Sequence, residues 1–142
     1  MSDLYTVEVV IPIPLSQTFD YMVSKLEFEN IKKGSRVIVS FGQKKLYTAI
    51  VVKKFINKQY DFNLKDIEFI VDDSPCISTE QIDLFKWISE YYLCPIGKVY
   101  ETALPKIFLV KSETLIKLSN EKNNLETSSK AKLILNDIKN SI

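Results

Sequence analysis

The chain has 142 residues, of which 46% are hydrophobic, and its formal net charge is +1. This composition favours one ordinary globular core, or one small domain with an appendage, and excludes a disordered chain. A net charge near zero argues against a protein that binds nucleic acid mainly through charge, but it allows a local site that stacks on bases. The sequence has neither a long apolar run nor a signal-peptide pattern, so we expect a cytoplasmic protein.

The sequence lacks the residue patterns that most catalytic and metal sites require. It has no histidine, and its two cysteines, Cys76 and Cys94, form no CxxC motif. A zinc site is therefore not expected; we predict two buried thiols, with a disulfide as the open alternative. The chain also has no GxxxxGK[ST] phosphate loop and no spaced Asp/Glu constellation. We therefore predict no ATPase or hydrolase activity and no cofactor in this chain.

Alternating apolar residues predict β-strands in the first half of the chain. Tyr5–Ile11 and Val37–Phe41 alternate, Leu46–Ile56 is long and β-branched, and Leu64–Val71 is a further candidate. Thr18–Val23 is compatible with either a short strand or a turn of helix. Short, closely spaced strands with turn signals predict a small curled antiparallel sheet or barrel-like domain.

A helix pair is predicted after the strands. Ser78 to Gln81 form a capping-box signature, apolar residues follow at helical spacing, and Pro95 suits the first turn of a second short helix. The resulting fold class is α+β, mainly β with C-terminal helices. The aromatic residues of this region follow the apolar spacing, so we predict that they are core and helix-packing residues rather than a stacking platform. They are Trp87, Tyr91, Tyr92 and Tyr100.

Three motifs carry a resemblance to a known family. They are Trp87–Val99, which contains Tyr-Tyr-x-Cys-Pro-x-Gly and is closed by Ala-Leu-Pro; Ile11–Leu15 leading into Thr18–Tyr21; and Val37–Lys45. In this order and spacing they resemble the N-terminal region of primosomal protein N′, the bacterial replication-restart helicase family PriA. The resemblance covers about residues 5–105.

The resemblance implies a 3′ DNA-binding domain over residues 1–105, with a pocket for the free 3′ end of a nascent strand at a stalled fork. Phe19 would stack on the terminal base, and Asp20 would accept a hydrogen bond from the 3′-hydroxyl. Gly42 would admit the nucleotide, and Lys65 would contact its phosphate. Residue type alone favours the structural alternatives: Phe19 as a core aromatic, Asp20 as a turn former and Lys65 as a solvated lysine. Gly42 would then be a plain hairpin glycine.

Two departures from the family pattern concern loops. Lys44 and Lys45 resemble a basic pair that contacts phosphates, but Arg36 is the only arginine in the chain, so we expect weak backbone binding. Ser24-Lys25-Leu26 stands where the family often has a Pro-Glu-Gly turn, and we expect this to be a harmless loop change.

Residues 106–142 are predicted to be the truncated start of a winged-helix domain, or a mobile tail, because Leu115–Leu118 and 129–142 resemble its first strand and helix. We therefore suspect a fragment. The resemblance implies that ATP, Mg and Zn belong to later domains, and that other primosomal proteins and single-strand-binding protein are partners of the full-length family. The alternative function is a small β-barrel protein–protein adaptor that docks a peptide strand.

Overall fold

The computed structural model describes residues 3–42 and 45–109. Within these ranges, one antiparallel sheet is followed by a pair of helices. In chain order the elements are β1 (Tyr5–Val10), β2 (Phe19–Val23), α1 (Lys25–Asn30), β3 (Arg36–Phe41), β4 (Lys45–Ile56), β5 (Ile67–Ile70), α2 (Thr79–Tyr91), α3 (Ile96–Ala103) and a 3₁₀ turn (Lys106–Phe108). This architecture confirms the predicted α+β class.

The sheet curls into a half-barrel. Its strand order is β2-β1-β4-β3-β5, and the long strand β4 pairs with both β3 and β1. A register shift between Glu8 and Val9 bends the β1–β4 pair. At the seam, the Met22 amide donates to the Lys65 carbonyl oxygen at 2.8 Å, and Met22 forms an isolated parallel bridge with Asp66. The two outer strands of the sheet therefore approach each other.

Each face of the sheet carries its own apolar layer. The concave face buries alternate residues of the strands together with Ile31, which follows α1. The opposite face is covered by α2 and α3, which pack Ile82, Phe85 and Tyr100 against Val10 and Ile50. The sheet is thus fixed from both sides, which makes it a rigid frame for the loops at its seam.

The connection between β1 and β2 is held against α3 by a close backbone contact. A Cβ atom at Gly97 would lie 1.9 Å from the Ile13 carbonyl oxygen and 2.6 Å from that of Ile11, so a larger residue does not fit. The Gly97 amide donates to the Leu15 carbonyl oxygen at 3.1 Å. This contact positions the segment that leads into β2.

Local assignments differ from the sequence prediction in three places. Thr18–Val23, which was compatible with two structures, forms strand β2 from Phe19 onward. The predicted strand Leu64–Val71 is shorter, at Ile67–Ile70. Ser24-Lys25-Leu26 is not a simple loop: Ser24 caps α1 through a capping box with Glu27. Ser24 and Glu27 stand three residues apart, as a capping box requires, but no helix was predicted to begin there.

The prediction that the four aromatic residues of the helix-pair region pack in the core was wrong for three of them. Trp87, Tyr91 and Tyr92 are 52%, 66% and 67% exposed, whereas Tyr100 is buried as predicted. The reason is that α2 has two apolar faces. Ile82 and Phe85 face the sheet, while Trp87 and Tyr91 stack on each other at 4.9 Å on the solvent side.

The last described residues contact the fold. Arg36 forms a bidentate ion pair with Asp72, at 2.6 and 2.8 Å, and its guanidinium lies over the Phe108 ring at 4.8 Å. Leu109 packs against the outer apolar layer. The predicted winged-helix start lies, from residue 110 onward, outside the described residues.

Among residues 3–42 and 45–109, no helix has the length and apolar character needed to cross a membrane. In the same part of the chain, Cys76 and Cys94 are free, half-buried thiols. Burial raises the pKa of Cys76, so it is a weak nucleophile near neutral pH.

Candidate nucleic-acid interface

A cavity of about 360 Å³ lies at the seam of the half-barrel. We call it the terminal cavity. Its walls are the beginning of β2, the end of β3 and the segment that precedes β5. The residues that line it are Thr18, Phe19, Asp20, Tyr21, Ser40, Phe41, Gly42, Phe62, Asn63, Leu64 and Lys65. The structure therefore brings together the four residues that the resemblance assigned to a DNA-end pocket, although they come from three separate parts of the chain.

Phe19 is held by a neighbouring ring. Its ring meets that of Phe41 at 4.8 Å in a T-shaped arrangement, and Phe41 meets Tyr47 in the same way at 6.3 Å. Phe19 is only partly buried and packs at the margin of the concave-face core. The ring is therefore fixed in orientation and borders the cavity, as a stacking surface requires.

The Asp20 side chain is engaged on the sheet face opposite to Phe19. In the register, Asp20 lies across from Glu8, whereas Phe19 lies across from Val9 of the concave-face core. Asp20 Oδ2 accepts from Lys58 Nζ at 2.6 Å, and the carboxylate is 16% exposed. Oδ1 is buried without a hydrogen-bond partner among the described residues. A buried acceptor with no donor is unusual.

Asp20 also borders the cavity through its backbone. Backbone groups of alternate residues in a strand point to the same side. Because the Met22 amide points outward to the Lys65 carbonyl oxygen, the backbone of Asp20, two residues earlier, also points toward the segment that precedes β5. The structure therefore places the strand edge of Asp20, rather than a freely exposed carboxylate, at the cavity.

Gly42 borders the cavity after the end of β3, and Tyr21 of β2 is tied to that end of β3. Gly42 has φ of +65°, and a Cβ atom there would have no neighbour within 4 Å. Its backbone is therefore accessible from the cavity side. The Tyr21 hydroxyl donates to the Ser40 carbonyl oxygen at 3.0 Å, which ties β2 to the end of β3. Burial raises the pKa of Tyr21 to about 12, so the phenol remains a neutral donor at physiological pH.

The lysines differ in their placement. Lys65 is exposed at the rim, and its ammonium has no ion-pair partner among the described residues. Its backbone is fixed by the bond to Met22. Lys45 begins β4, opposite Phe41, with an exposed side chain. Lys44 lies outside the described residues.

The sequence reading missed the contribution of the loop before β5. Phe62, Asn63 and Leu64 line the cavity, and Lys58 holds the Asp20 carboxylate. The only signal was the presence of aromatic residues in an otherwise polar loop. Nothing local indicated that this loop folds back along β2.

Comparison with known proteins identifies the family. The model of a family described as the 3′ DNA-binding domain (3′BD) of PriA matches residues 8–105. This chain belongs to that family. The match is to a DNA-binding domain and not to a helicase domain, in agreement with the resemblance read from the motifs.

Individual relatives point the same way. The replication restart protein PriA of Buchnera aphidicola from Schizaphis graminum is 32% identical over 70% of this chain and 14% of its own length. PriA of Buchnera aphidicola from Acyrthosiphon pisum is 29% identical over 84% of this chain and 17% of its own length. PriA of Bacillus subtilis is 26% identical over 75% of this chain. The chain thus spans only about a sixth of the length of the relatives it matches most extensively.

Proposed function

We propose that this domain binds the free 3′ end of a DNA strand in the terminal cavity and serves as the end-recognition module of a replication-restart helicase at stalled forks. The proposal is supported by one observation above all. A fixed aromatic ring, an accessible glycine backbone, a strand edge and an unpaired lysine border one cavity. The volume of this cavity lies in the range of small-ligand sites, about 300–1,000 Å³.

Each part of a terminal nucleotide has a suitable neighbour. The base stacks on Phe19, a sequence-tolerant contact of about 1–3 kcal/mol. The nucleotide approaches the backbone at Gly42, where no side chain intervenes. Lys65 neutralises the phosphate on the 5′ side of the terminal sugar. The 3′-hydroxyl lies at the outward strand edge of Asp20 and donates its hydrogen to the main-chain carbonyl oxygen there.

Asp20 also supplies a reason for end selectivity. A 3′-phosphate at the same place would be repelled through space by the Asp20 carboxylate, which lies on the other face of the strand and whose charge Lys58 offsets in part, and it would lose the hydroxyl donor. Like-charge repulsion and the lost hydrogen bond both disfavour it. The cavity therefore selects an extendable end over a phosphorylated one.

The test compares one fluorescent oligonucleotide that carries either a 3′-hydroxyl or a 3′-phosphate, by anisotropy. The hydroxyl form is expected to bind about five- to a hundredfold more tightly, and circular single-stranded DNA is expected to compete poorly. Phe19→Ala should weaken binding by about 1–3 kcal/mol without changing the salt slope. Phe69→Ala is the matched control, because Phe69 is a strand aromatic, 54% exposed, outside the cavity.

The salt dependence gives an independent measure. With few cations at the cavity, the domain should contact one or two phosphates, and the affinity should fall with a slope of about 0.7 per phosphate. Equal affinity for both ends, or a slope of many phosphates, would leave only unspecific single-strand binding.

We also infer that the module acts within a longer helicase in the cytoplasm. ATP, Mg and Zn would then belong to other domains, and other primosomal proteins and single-strand-binding protein would be partners. The family membership supports this inference.

The adaptor function remains the second candidate, and one observation favours it. Trp87 and Tyr91 expose a stacked aromatic pair on α2, and an exposed apolar patch can mark a protein–protein contact site. The same helix carries Glu80, Asp83 and Glu90 against Lys86, which makes it unsuitable for phosphates. An adaptor would respond to Tyr91→Ser and be indifferent to DNA ends; the proposed function predicts the reverse.

A further inference from the structure

A second cavity shares a wall with the terminal cavity. It has a volume of about 660 Å³ and is lined by Leu4, Met22 and the loop Asn57–Leu64. We call it the loop cavity. Phe62, Asn63 and Leu64 border both cavities. A DNA strand whose last nucleotide fills the terminal cavity must leave it on some side, and this shared wall leads directly into a second space.

Phe62 is the prominent group on the shared wall. It is 67% exposed, and its ring meets that of Tyr60 at 5.8 Å in a T-shaped arrangement. Tyr60 is anchored in turn, because its hydroxyl lies 3.1 Å from Thr6 Oγ1 and Lys58 Nζ lies over its ring at 5.2 Å. Phe62 is therefore supported on one edge while a face remains open to solvent.

The charges of the loop cavity suit a base rather than a phosphate. Among its lining residues only Lys58 and Asp61 are charged, and Lys58 is already bound to Asp20. The remaining polar groups include the side-chain amides of Gln59 and Asn63. An aromatic ring with amides and no unpaired cation is a setting in which a base stacks and its edge finds hydrogen-bonding groups.

We propose that Phe62 stacks on the base of the penultimate nucleotide, so that the loop cavity is a second nucleotide subsite adjoining the first. This inference rests on the proposed function, because the order of the subsites requires the 3′ end to lie in the terminal cavity. The phosphate between the two nucleotides then lies near the rim that carries Lys65.

The experiment separates the two subsites by ligand length. Affinities are measured for a nucleoside 5′-monophosphate, which has one base and a 3′-hydroxyl, and for the corresponding dinucleotide and trinucleotide. The wild type is expected to bind the dinucleotide about 5- to 150-fold more tightly than the mononucleotide, as expected for one stacked base. Phe62→Ala should abolish most of this gain and lower mononucleotide affinity by a much smaller factor, because Phe62 also borders the terminal cavity, while Phe62→Trp should retain the gain.

Two controls sharpen the test. The first is a dinucleotide whose penultimate residue is abasic. Its affinity for the wild type should equal the affinity of the intact dinucleotide for Phe62→Ala. Combining the abasic ligand with Phe62→Ala should cause no further loss of affinity. Tyr92→Ala removes another aromatic ring that is 67% exposed and T-stacked on a neighbour; it should alter none of these affinities.

The possible failures are distinguishable. If the wild type gains nothing from the second nucleotide, or if Phe62→Ala weakens mononucleotide and dinucleotide alike, the penultimate subsite is refuted while end binding stands. If no ligand with a free 3′-hydroxyl binds at any length, both the proposed function and the subsite are refuted.

Discussion

Exchanging the charge at Asp20 tests the proposal that the terminal cavity distinguishes DNA ends. Asp20→Asn keeps the shape of the side chain and removes its negative charge. Two like unit charges about 6 Å apart repel by roughly 1 to 3 kcal/mol for effective dielectric constants between those of water and of a protein surface. A 3′-phosphate should therefore bind about five- to a hundredfold more weakly than a hydroxyl in the wild type, and Asp20→Asn should remove most of that difference.

Lys58→Met gives a control with the opposite sign. Lys58 Nζ lies 2.6 Å from Asp20 Oδ2, so its loss breaks the same ion pair but leaves the carboxylate charge uncompensated. The preference for hydroxyl over phosphate should widen, whereas any effect that arises only from breaking the pair would be shared by both variants. The pair is partly exposed and should contribute at most about 1 kcal/mol to folding, which thermal unfolding checks. An unchanged end preference in Asp20→Asn would refute the role of Asp20.

Three further changes probe the frame around the cavity. Gly97→Ala places a Cβ atom 1.9 Å from the Ile13 carbonyl oxygen and should lower the free energy of unfolding by about 2 kcal/mol or more, measured by urea denaturation. Asp72→Asn should cost about 1 to 3 kcal/mol at pH 7. Arg36 holds the pKa of Asp72 below its usual range. The stability that the ion pair contributes is therefore present above about pH 4 and is lost as pH falls through the folded-state pKa of Asp72. Unfolding measured against pH should show this loss of stability in the wild type but not in Asp72→Asn. A chain ending at Leu109 should be more stable by about 1 to 3 kcal/mol than one ending at residue 105, because Phe108 and Leu109 contact the fold. Both chains should bind DNA ends. Loss of folding in both would contradict the predicted domain boundary.

Local patterns were enough to predict most elements of the fold. Alternation identified β1, β3 and β4, and the capping box at Ser78 identified the start of α2. The same rule applied at Ser24 would have found α1, where the first turn contains no buried residue to mark it. Apolar periodicity failed on α2 because a helix with two apolar faces satisfies the same spacing as a buried one. Only the packing partner decides which face is covered, and periodicity carries no information about the partner.

The site residues were predictable only through family resemblance. Phe19, Gly42 and Lys65 are unremarkable residues by type, and their convergence depends on the closure of the half-barrel. That closure includes the backbone bond from Met22 to Lys65 and the bridge from Met22 to Asp66, between segments more than forty positions apart. No local propensity encodes such a contact. The alternation within β2, by contrast, would have placed Phe19 and Asp20 on opposite faces had the strand been assigned.

The loop before β5 derives its shape from the strands it crosses. The Asn57 amide donates to the Leu4 carbonyl oxygen, Tyr60 meets Thr6, and Lys58 binds Asp20. Each contact joins the loop to β1, β2 or the residue before β1, so the part of the loop that precedes Phe62 is anchored to the sheet edge. Asp20 belongs to both parts, because its backbone borders the terminal cavity and its carboxylate holds the loop. If the proposed function holds, a ligand that acts on Asp20 would also act, through Lys58 and Tyr60, on the support of Phe62, and the two proposed subsites would be coupled through one side chain.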